Sequence, residues 1–354
     1  MIVLRALTHR GVQAALLAAV LFGGATPVAK LLLGEVSPWL LAGLLYCGSG
    51  VGLGLWRLLR RTPRVRLPRS EWPPLAGAVL FGGMIAPVLL MVGLAGMPAS
   101  GASLLLNAEG VFTATLAWVV FRENVDRRIL LGMLAIVAGA VVLSVPTGAS
   151  LGSPWPALAI LGACLAWGLD NNLTRKVALT DATWLAAVKG SVAGPVNLVL
   201  AVGLGAALPP TGAIASALVV GFFAYGVSLA LFIVGMRHVG TARAGAYFSI
   251  APFFGALVAV ALGEPVTWPL VVAGVLMGVG VWLHLTERHA HVHLHEPITH
   301  EHVHTHGTGD EHHEHEHSGG QGVPPGVRHR HPHTHQPLRH THEHYPDAHH
   351  RHHE

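Results

Sequence analysis

Residues 36–69 read VSPWLLAGLLYCGSGVGLGLWRLLRRTPRVRLPR. The segment 36–56 carries no charge and is long enough for the roughly 20 apolar residues that a helical bilayer crossing needs. It is followed by Arg57, Arg60, Arg61, Arg64, Arg66 and Arg69, with no acid among them. An apolar run that exits into a block of arginine marks a membrane span leaving on the cytoplasmic side. Read outward from this segment, the chain predicts ten spans: 11–33, 36–56, 73–95, 99–121, 128–146, 154–174, 182–204, 212–234, 241–262 and 266–286. The connections are short, and several carry turn residues, as in Ser37-Pro38, Met97-Pro98, Pro209-Pro210 and Glu264-Pro265.

With the N-terminus inside, the basic residues fall on one side. Arg122, Arg127 and Arg128 follow the fourth span, Arg175 and Lys176 the sixth, and Arg237 the eighth. Arg5 and Arg10 precede the first. Lys30, at the outer end of the first span, is the exception. An odd number of spans breaks this pattern, so ten spans with both termini in the cytoplasm, in an inner membrane, is the expected topology. Met1–Arg10 followed by an apolar stretch is read as a retained first helix rather than a signal peptide.

Composition agrees. Of the 354 residues, 52% are hydrophobic and only 11% charged, against about 25% charged in soluble domains. The formal charge of +4 follows membrane topology rather than forming a nucleic-acid-binding patch. Cys47 and Cys164 sit in apolar runs and form no disulfide framework or zinc knuckle. No phosphate-binding loop or nucleophile arrangement suggests an enzyme.

The chain looks duplicated. Phe22-Gly23 with Lys30 recurs 145 residues later as Trp167-Gly168 with Arg175. Phe112, Leu116, Glu123 and Gly139 recur 141 residues later as Phe253, Leu257, Glu264 and Gly280. Five spans per half is an odd number, so the second half is expected to be inverted across the membrane, with a binding site near the midplane between the halves. The domains are then 1–150, 151–286 and a tail, 287–354. The tail holds 23 of the 26 His. Poor in large apolar residues, it is expected to be disordered without metal.

Two five-span halves, each with a Gly-Ala-rich first span, an aromatic-Gly pair, a following basic residue and a Glu closing the fourth span, resemble the drug/metabolite transporter superfamily in its EamA-type branch. The resemblance covers 11–286. It is carried best by Ala163–Lys176, with Ala246–Pro252 and Gly263-Glu264-Pro265 in support. It implies an all-α membrane fold of ten helices and alternating access without ATP hydrolysis. It implies no particular substrate.

Residues 1–286 contain eight acids, of which only Glu109 and Asp170 fall inside spans. An ionisable group in the membrane costs roughly 2.5–3.5 kcal/mol on insertion scales, which makes it a functional candidate. Glu109, ~15 Å into its span at 1.5 Å per residue, reads as a proton-coupling or cation-binding group. The alternative is a structural Glu bonded to a neighbouring helix. Asp170 and Lys189 lie at similar depth on two spans joined by a short inner loop, and are expected to form an ion pair. That pair either opens during transport or only fixes the packing. A further alternative has Lys189 snorkelling alone to the surface. Three consecutive polar residues, Asp170, Asn171 and Asn172, suggest a locally opened helix lining a cavity. Asn107 and Tyr247 complete the candidate path, with Arg243, Ser249, Tyr225 and Ser228 as weaker candidates. Pro27, Pro87, Pro195 and Pro252 are expected to kink their spans. Gly50xxxGly54 and Gly274xxxGly278 are expected to permit close helix contact.

The tail carries the densest chemistry. His289, His291, His293 and His295 alternate, as do His300, His302, His304 and His306. Further groups are His312, His313, His315 and His317; His329, His331, His333 and His335; and His340, His342 and His344. In extended chain, alternate residues share one side, and neutral imidazole suits zinc, copper, nickel and cobalt. Exchangeable Ni, Co, Zn or Cu sites are expected there, with no cofactor required elsewhere. Three functions compete: a carrier of a divalent transition metal or its complex; a metabolite or drug carrier whose tail regulates it or buffers metal; and a membrane-anchored metal sensor. The expected partners are the lipid bilayer and a small-molecule or metal-ion substrate, with no nucleic acid. A homodimer is compatible with the sequence.

Overall fold

Each apolar segment folds as helix, because Ala, Leu and Met favour it and an apolar medium demands internal backbone bonding. The computed structural model describes residues 10–65, 67–121, 127–144, 154–177, 180–239, 241–285, 290–294, 299–305, 328–334 and 339–343. The helices are α1 (Arg10–Leu32), α2 (Pro38–Leu59), α3 (Arg69–Ala95), α4 (Ala99–Leu105), α5 (Ala108–Phe121) and α6 (Arg127–Ser144). They continue as α7 (Trp155–Arg175), α8 (Ala182–Gly203), α9 (Thr211–Gly221, carried on through Ser228–Val239), α10 (Thr241–Phe248), α11 (Ala251–Ala261) and α12 (Trp268–Leu285). By length and composition, six helices among the described residues are long and apolar enough to cross a membrane, and three shorter ones are apolar.

The distribution of polarity is inside-out. Outward faces expose Leu17, Val51, Leu58, Val119, Val199 and Val275, whereas Ser49, Asn107, Asp170, Lys189 and Asn197 are buried. A soluble protein does not present so much apolar surface; lipid accepts it.

Two helices contain a π turn, Val79–Ile85 within α3 and Phe222–Val227 within α9. Two expected spans are broken. Between α4 and α5, Asn107 bonds its side chain back to the Leu104 carbonyl at 2.9 Å, a local bond that competes with helix continuation. Between α10 and α11 the break lies at Ser249-Ile250, before Pro252, which starts α11 instead of kinking a helix. Pro87 follows the π turn of α3, while Pro27 and Pro195 lie inside α1 and α8.

The helices pair across the chain's two halves: α2 lies along α8 and α6 along α12. Likewise α1 packs on α9 and α11, and α7 packs on α3 and α5. Glycine permits a close crossing of α2 and α8. A Cβ on Gly50 would stand 2.4 Å from the Ser191 nitrogen, and one on Gly190 would stand 2.3 Å from the Gly50 nitrogen. The paired-glycine expectation is corrected in part. Gly54 has nothing within 4 Å, and Gly274 and Gly278 make only ordinary contacts at 3.7 and 3.9 Å.

Charged groups fasten the helix ends. Asp181 caps α8, accepting from the Trp184 amide at 2.8 Å, and pairs with Arg57 of α2 at 2.6 Å. Glu264, between α11 and α12, accepts from the Ala99 and Ser100 amides at 2.7 and 2.8 Å and so caps α4 from a distance. Beside it, Lys30 donates to the carbonyls of Leu94 and Ala95 at the end of α3, at 2.7 and 3.2 Å. Burial alone opposes ionisation of Glu264. The bonds from Ser100 and Ala99 and the charge of Lys30 outweigh it and hold the carboxyl below its usual range.

Residues 288–354 form a separate unit. Its described residues are not structureless. They form β1 (Ala290–Leu294), β2 (Thr299–Thr305), β3 (Arg328–Thr334) and β4 (Arg339–Glu343), with β1 antiparallel to β4 and β2 antiparallel to β3. The period-2 alternation that suggested chelation also suits strand pairing. His289, His295, His306, His312, His313, His315, His317, His335 and His344 lie outside the described residues.

Two outcomes test this packing. Gly50→Ala is expected to destabilise the detergent-solubilised protein by about 1–3 kcal/mol through overpacking, while Gly54→Ala is neutral or stabilising; both are read by thermal unfolding. Glu264→Gln is expected to cost about 1 kcal/mol at neutral pH, as for loss of a helix cap. Because the folded carboxyl titrates below its unfolded value, its contribution is complete above the unfolded pKa and disappears as pH falls through the folded one. A wild-type–variant difference that does not change with pH contradicts this assignment.

Candidate functional site

The site begins with a missing hydrogen. Pro87 has no N–H, so it cannot serve the carbonyl of Gly83, four residues back, or of Gly82, five back. In an apolar environment those carbonyls need other donors. Tyr46 of α2 donates to the Gly82 oxygen at 2.5 Å and Trp167 of α7 at 3.2 Å. Asn197 of α8 donates to the Gly83 oxygen at 3.1 Å. The π turn thereby ties α2, α7 and α8 to α3.

The same turn makes room for charge. A Cβ on Gly82 would fall 1.9 Å from Asp170 Oδ2, so only glycine lets the carboxylate approach. Asp170 is 7% exposed and Lys189 3%. The ion pair expected between them forms, Lys189 Nζ to Asp170 Oδ1, which excludes a lysine snorkelling to the surface. Thr174 completes the group, donating to Asp170 at 2.8 Å and accepting from Lys189 at 3.0 Å. Burying two charges is expensive, and only close pairing with further hydrogen bonds offsets the cost.

Glu109 of α5 faces the same space. Its Oε1 accepts from Asn171 Nδ2 at 2.7 Å, and Asn171 also donates to Thr113 Oγ1 at 3.3 Å. Asn172 points elsewhere, donating to the carbonyls of Gly168 and Thr113 at 2.8 and 3.3 Å. The expectation of an opened helix is therefore corrected. Asp170, Asn171 and Asn172 lie within the continuous α7, because α8 and α5 supply a partner for each.

These groups share a cavity of about 70 Å³ with six aromatic rings, those of Phe22, Tyr46, Trp167, Tyr225, Phe232 and Phe248. Phe22 stands edge-on to Trp167 and Tyr225, with centroids 5.8 and 5.7 Å apart, and lies 5.5 Å from Phe248. Ser228, at the wall, donates to the Ala18 carbonyl at 2.8 Å.

Of the predicted path, Glu109, Asp170, Asn171 and Lys189 meet at the cavity wall. Asn107 does not; its amide bonds Leu104 and Met277 Sδ, the latter at 3.8 Å. Asn172 and Tyr247 are also outside the lining. The sequence reading missed Tyr46, Phe232 and Phe248 altogether. Phe22 and Trp167 carried a signal, as equivalent positions of the repeat, and the structure places their rings against each other.

The profile of the EamA-like transporter family matches residues 9–145 and again 154–286. An uncharacterized transporter of Methanothermobacter thermautotrophicus is 29% identical over 290 residues, covering 75% of this chain and 83% of that protein. A probable 4-amino-4-deoxy-L-arabinose-phosphoundecaprenol flippase subunit ArnE of Pseudomonas aeruginosa is 38% identical over 109 residues, 29% of this chain and 92% of that one. A solved crystal structure superposes with a TM-score of 0.60 at 19% identity, covering 77% of this chain and 95% of the other, and shares the fold. With two matches to one family filling most of its length, and with the apolar helices to support them, this chain is a multi-pass membrane protein that belongs to the EamA-like transporter family.

Proposed function

We propose that the chain is a secondary carrier of a small organic solute, ion- or proton-coupled and working by alternating access, with its substrate site at the cavity. The observation that carries this reading is one small aromatic cavity shared by Glu109 and the Lys189–Asp170 pair, built from helices of both halves. In this reading the chain crosses the inner membrane ten times as two inverted five-helix halves, with both termini cytoplasmic. The π turns begin 143 residues apart, at Val79 and Phe222, and the helix starts after the two breaks, Ala108 and Ala251, are 143 apart as well. The cross-half packing repeats in the same way: Gly23 of α1 abuts Ala251 of α11, and Gly168 of α7 abuts Phe112 and Thr113 of α5. These correspondences support duplication.

The geometry favours an organic solute over a metal ion. Among the described residues of the helical unit, no three His, Cys, Asp or Glu converge. One of the two carboxylates is already neutralised by Lys189, whereas zinc, nickel and copper prefer imidazole or thiolate ligands. Aromatic walls with a few fixed polar groups suit a small molecule. Glu109 serves as the coupling group, its proton or cation exchanging as the solute binds and leaves. The tail binds transition metal as a separate, regulatory or buffering function.

Proteoliposomes offered amines, amino acids, nickel, cobalt and zinc separate the readings. The expected result is uptake of an organic solute with proton movement that Glu109→Gln abolishes. Metal flux lost in Glu109→Gln supports metal transport instead. The ion pair has its own test. Asp170→Asn alone leaves Lys189 buried and unpaired and is expected to cost about 3–5 kcal/mol. Asp170→Asn with Lys189→Met is expected to restore thermal stability but not transport; recovery of both reduces the pair to a packing device.

A further inference from the structure

We propose that the arginine-rich end of α2 holds one anionic phospholipid, its headgroup on guanidinium groups and an acyl chain along the helix. The inference stands on the membrane-spanning fold and is independent of the solute carried. Residues 57–69 contain six arginines and no acid. A groove of about 420 Å³ opens in this region, lined by Gly54, Arg57, Leu58, Arg64, Val65 and Trp184 among others. Its two ends differ in chemistry. At one end Gly54 and Leu58, four residues apart, share a face of α2. A Cβ on Gly54 would meet nothing within 4 Å. Leu58 is 74% exposed, so this end lies on the apolar surface that the fold gives to lipid. At the other end stand Arg57 and Arg64. An occupant that satisfies both ends is apolar below and anionic above, which describes a phospholipid and not a free anion.

The basic end is organised, not merely crowded. Arg57 bonds Asp181 at 2.6 Å, Thr183 at 2.7 Å and the Pro63 carbonyl at 3.1 Å, so its guanidinium is fixed and its charge balanced. Arg64 is exposed and has no ion-pair partner among the described residues, which leaves the groove net positive. Guanidinium groups meet phosphate oxygens with paired N–H donors. The turn that leads from Arg57 toward Arg64 closes with the Arg61 amide on the Leu58 carbonyl and the Thr62 amide on the Arg57 carbonyl, both at 3.1 Å. Arg61 has a φ of 49°, the left-handed conformation in which helices commonly end on glycine. A cation is kept where glycine suits the backbone better, and such positions mark places where function outweighs local strain. The level also suits a headgroup. Trp56 and Trp72, near the adjoining ends of α2 and α3, are exposed, and Trp184 lines the groove; tryptophan concentrates at the membrane–water interface.

Intact-complex mass spectrometry of the full-length protein in detergent, offered phosphatidylglycerol and phosphatidylcholine in turn, tests the site. Retention is scored on folded complexes, which the charge-state distribution separates from unfolded chain. The expected result is one phosphatidylglycerol retained in preference to phosphatidylcholine. Arg64→Gln removes the unbalanced charge and is expected to lower that affinity about fivefold, the effect of one basic group near a headgroup. Gly54→Leu fills the apolar end, leaves every arginine in place and is expected to lower it at least as much. Arg69→Gln removes an equal charge outside the groove and is expected to leave affinity unchanged. Equal retention of the two lipids, or equal losses in Arg64→Gln and Arg69→Gln, reduces the region to a diffuse basic field and overturns the site. Undiminished binding in Gly54→Leu overturns the acyl groove. Displacement of the lipid by millimolar inorganic phosphate makes this a site for soluble anions and overturns the lipid assignment.

Discussion

An ammonium and a carboxylate facing each other inside an apolar bundle set the terms for the rest of this molecule. Lys189 and Asp170 are almost wholly buried, and neither is tolerable alone. Their meeting requires α7 and α8 to stand side by side at that level. It also requires α3 to lack a side chain at Gly82, where any Cβ would collide with the carboxylate. The π turn that presents Gly82 also releases the two carbonyls that Pro87 cannot serve, and Tyr46, Trp167 and Asn197 occupy them. Ion pair, glycine, proline and aromatic wall therefore form one arrangement, and a change in one reaches the others.

The arrangement also explains why the centre can be polar without opening to lipid. Asp170, Lys189, Asn171 and Glu109 each have a protein partner there, and aromatic rings line the same cavity. Contacts at the helix ends join the halves in another way. Glu264 in the second half caps a helix of the first, and Arg57 in the first pairs with Asp181 in the second. Charged contacts therefore join the first and second halves of the chain at the helix ends as well as in the centre.

Much of this was legible in the sequence. The helices follow from apolar runs punctuated by Pro and Gly, and the Asp170–Lys189 pair follows from matched depth on neighbouring spans. The break before Pro252 could have been read from proline chemistry. The break at Asn107 could not, since it depends on a side chain choosing its own backbone. Nor could the continuity of α7 through Asp170–Asn172, which depends on Glu109, Thr113 and Lys189 arriving from other helices. Periodicity reports which face is buried but not which rings meet, so Tyr46, Phe232 and Phe248 stayed hidden. In the tail, alternation signalled chelation, but the pairing of strands distant in sequence lay beyond any local pattern.

The central claim is that the cavity beside Lys189 and Asp170 is where a solute binds and from which it is released to either side. Leu229 lines that cavity. In a chain with Cys47 and Cys164 replaced, Leu229→Cys provides a single reactive thiol there. The account expects a membrane-impermeant maleimide to modify it from each side of the membrane, with a transported solute slowing both reactions. A thiol that reacts from neither side, or that reacts at an unchanged rate with saturating solute present, contradicts it.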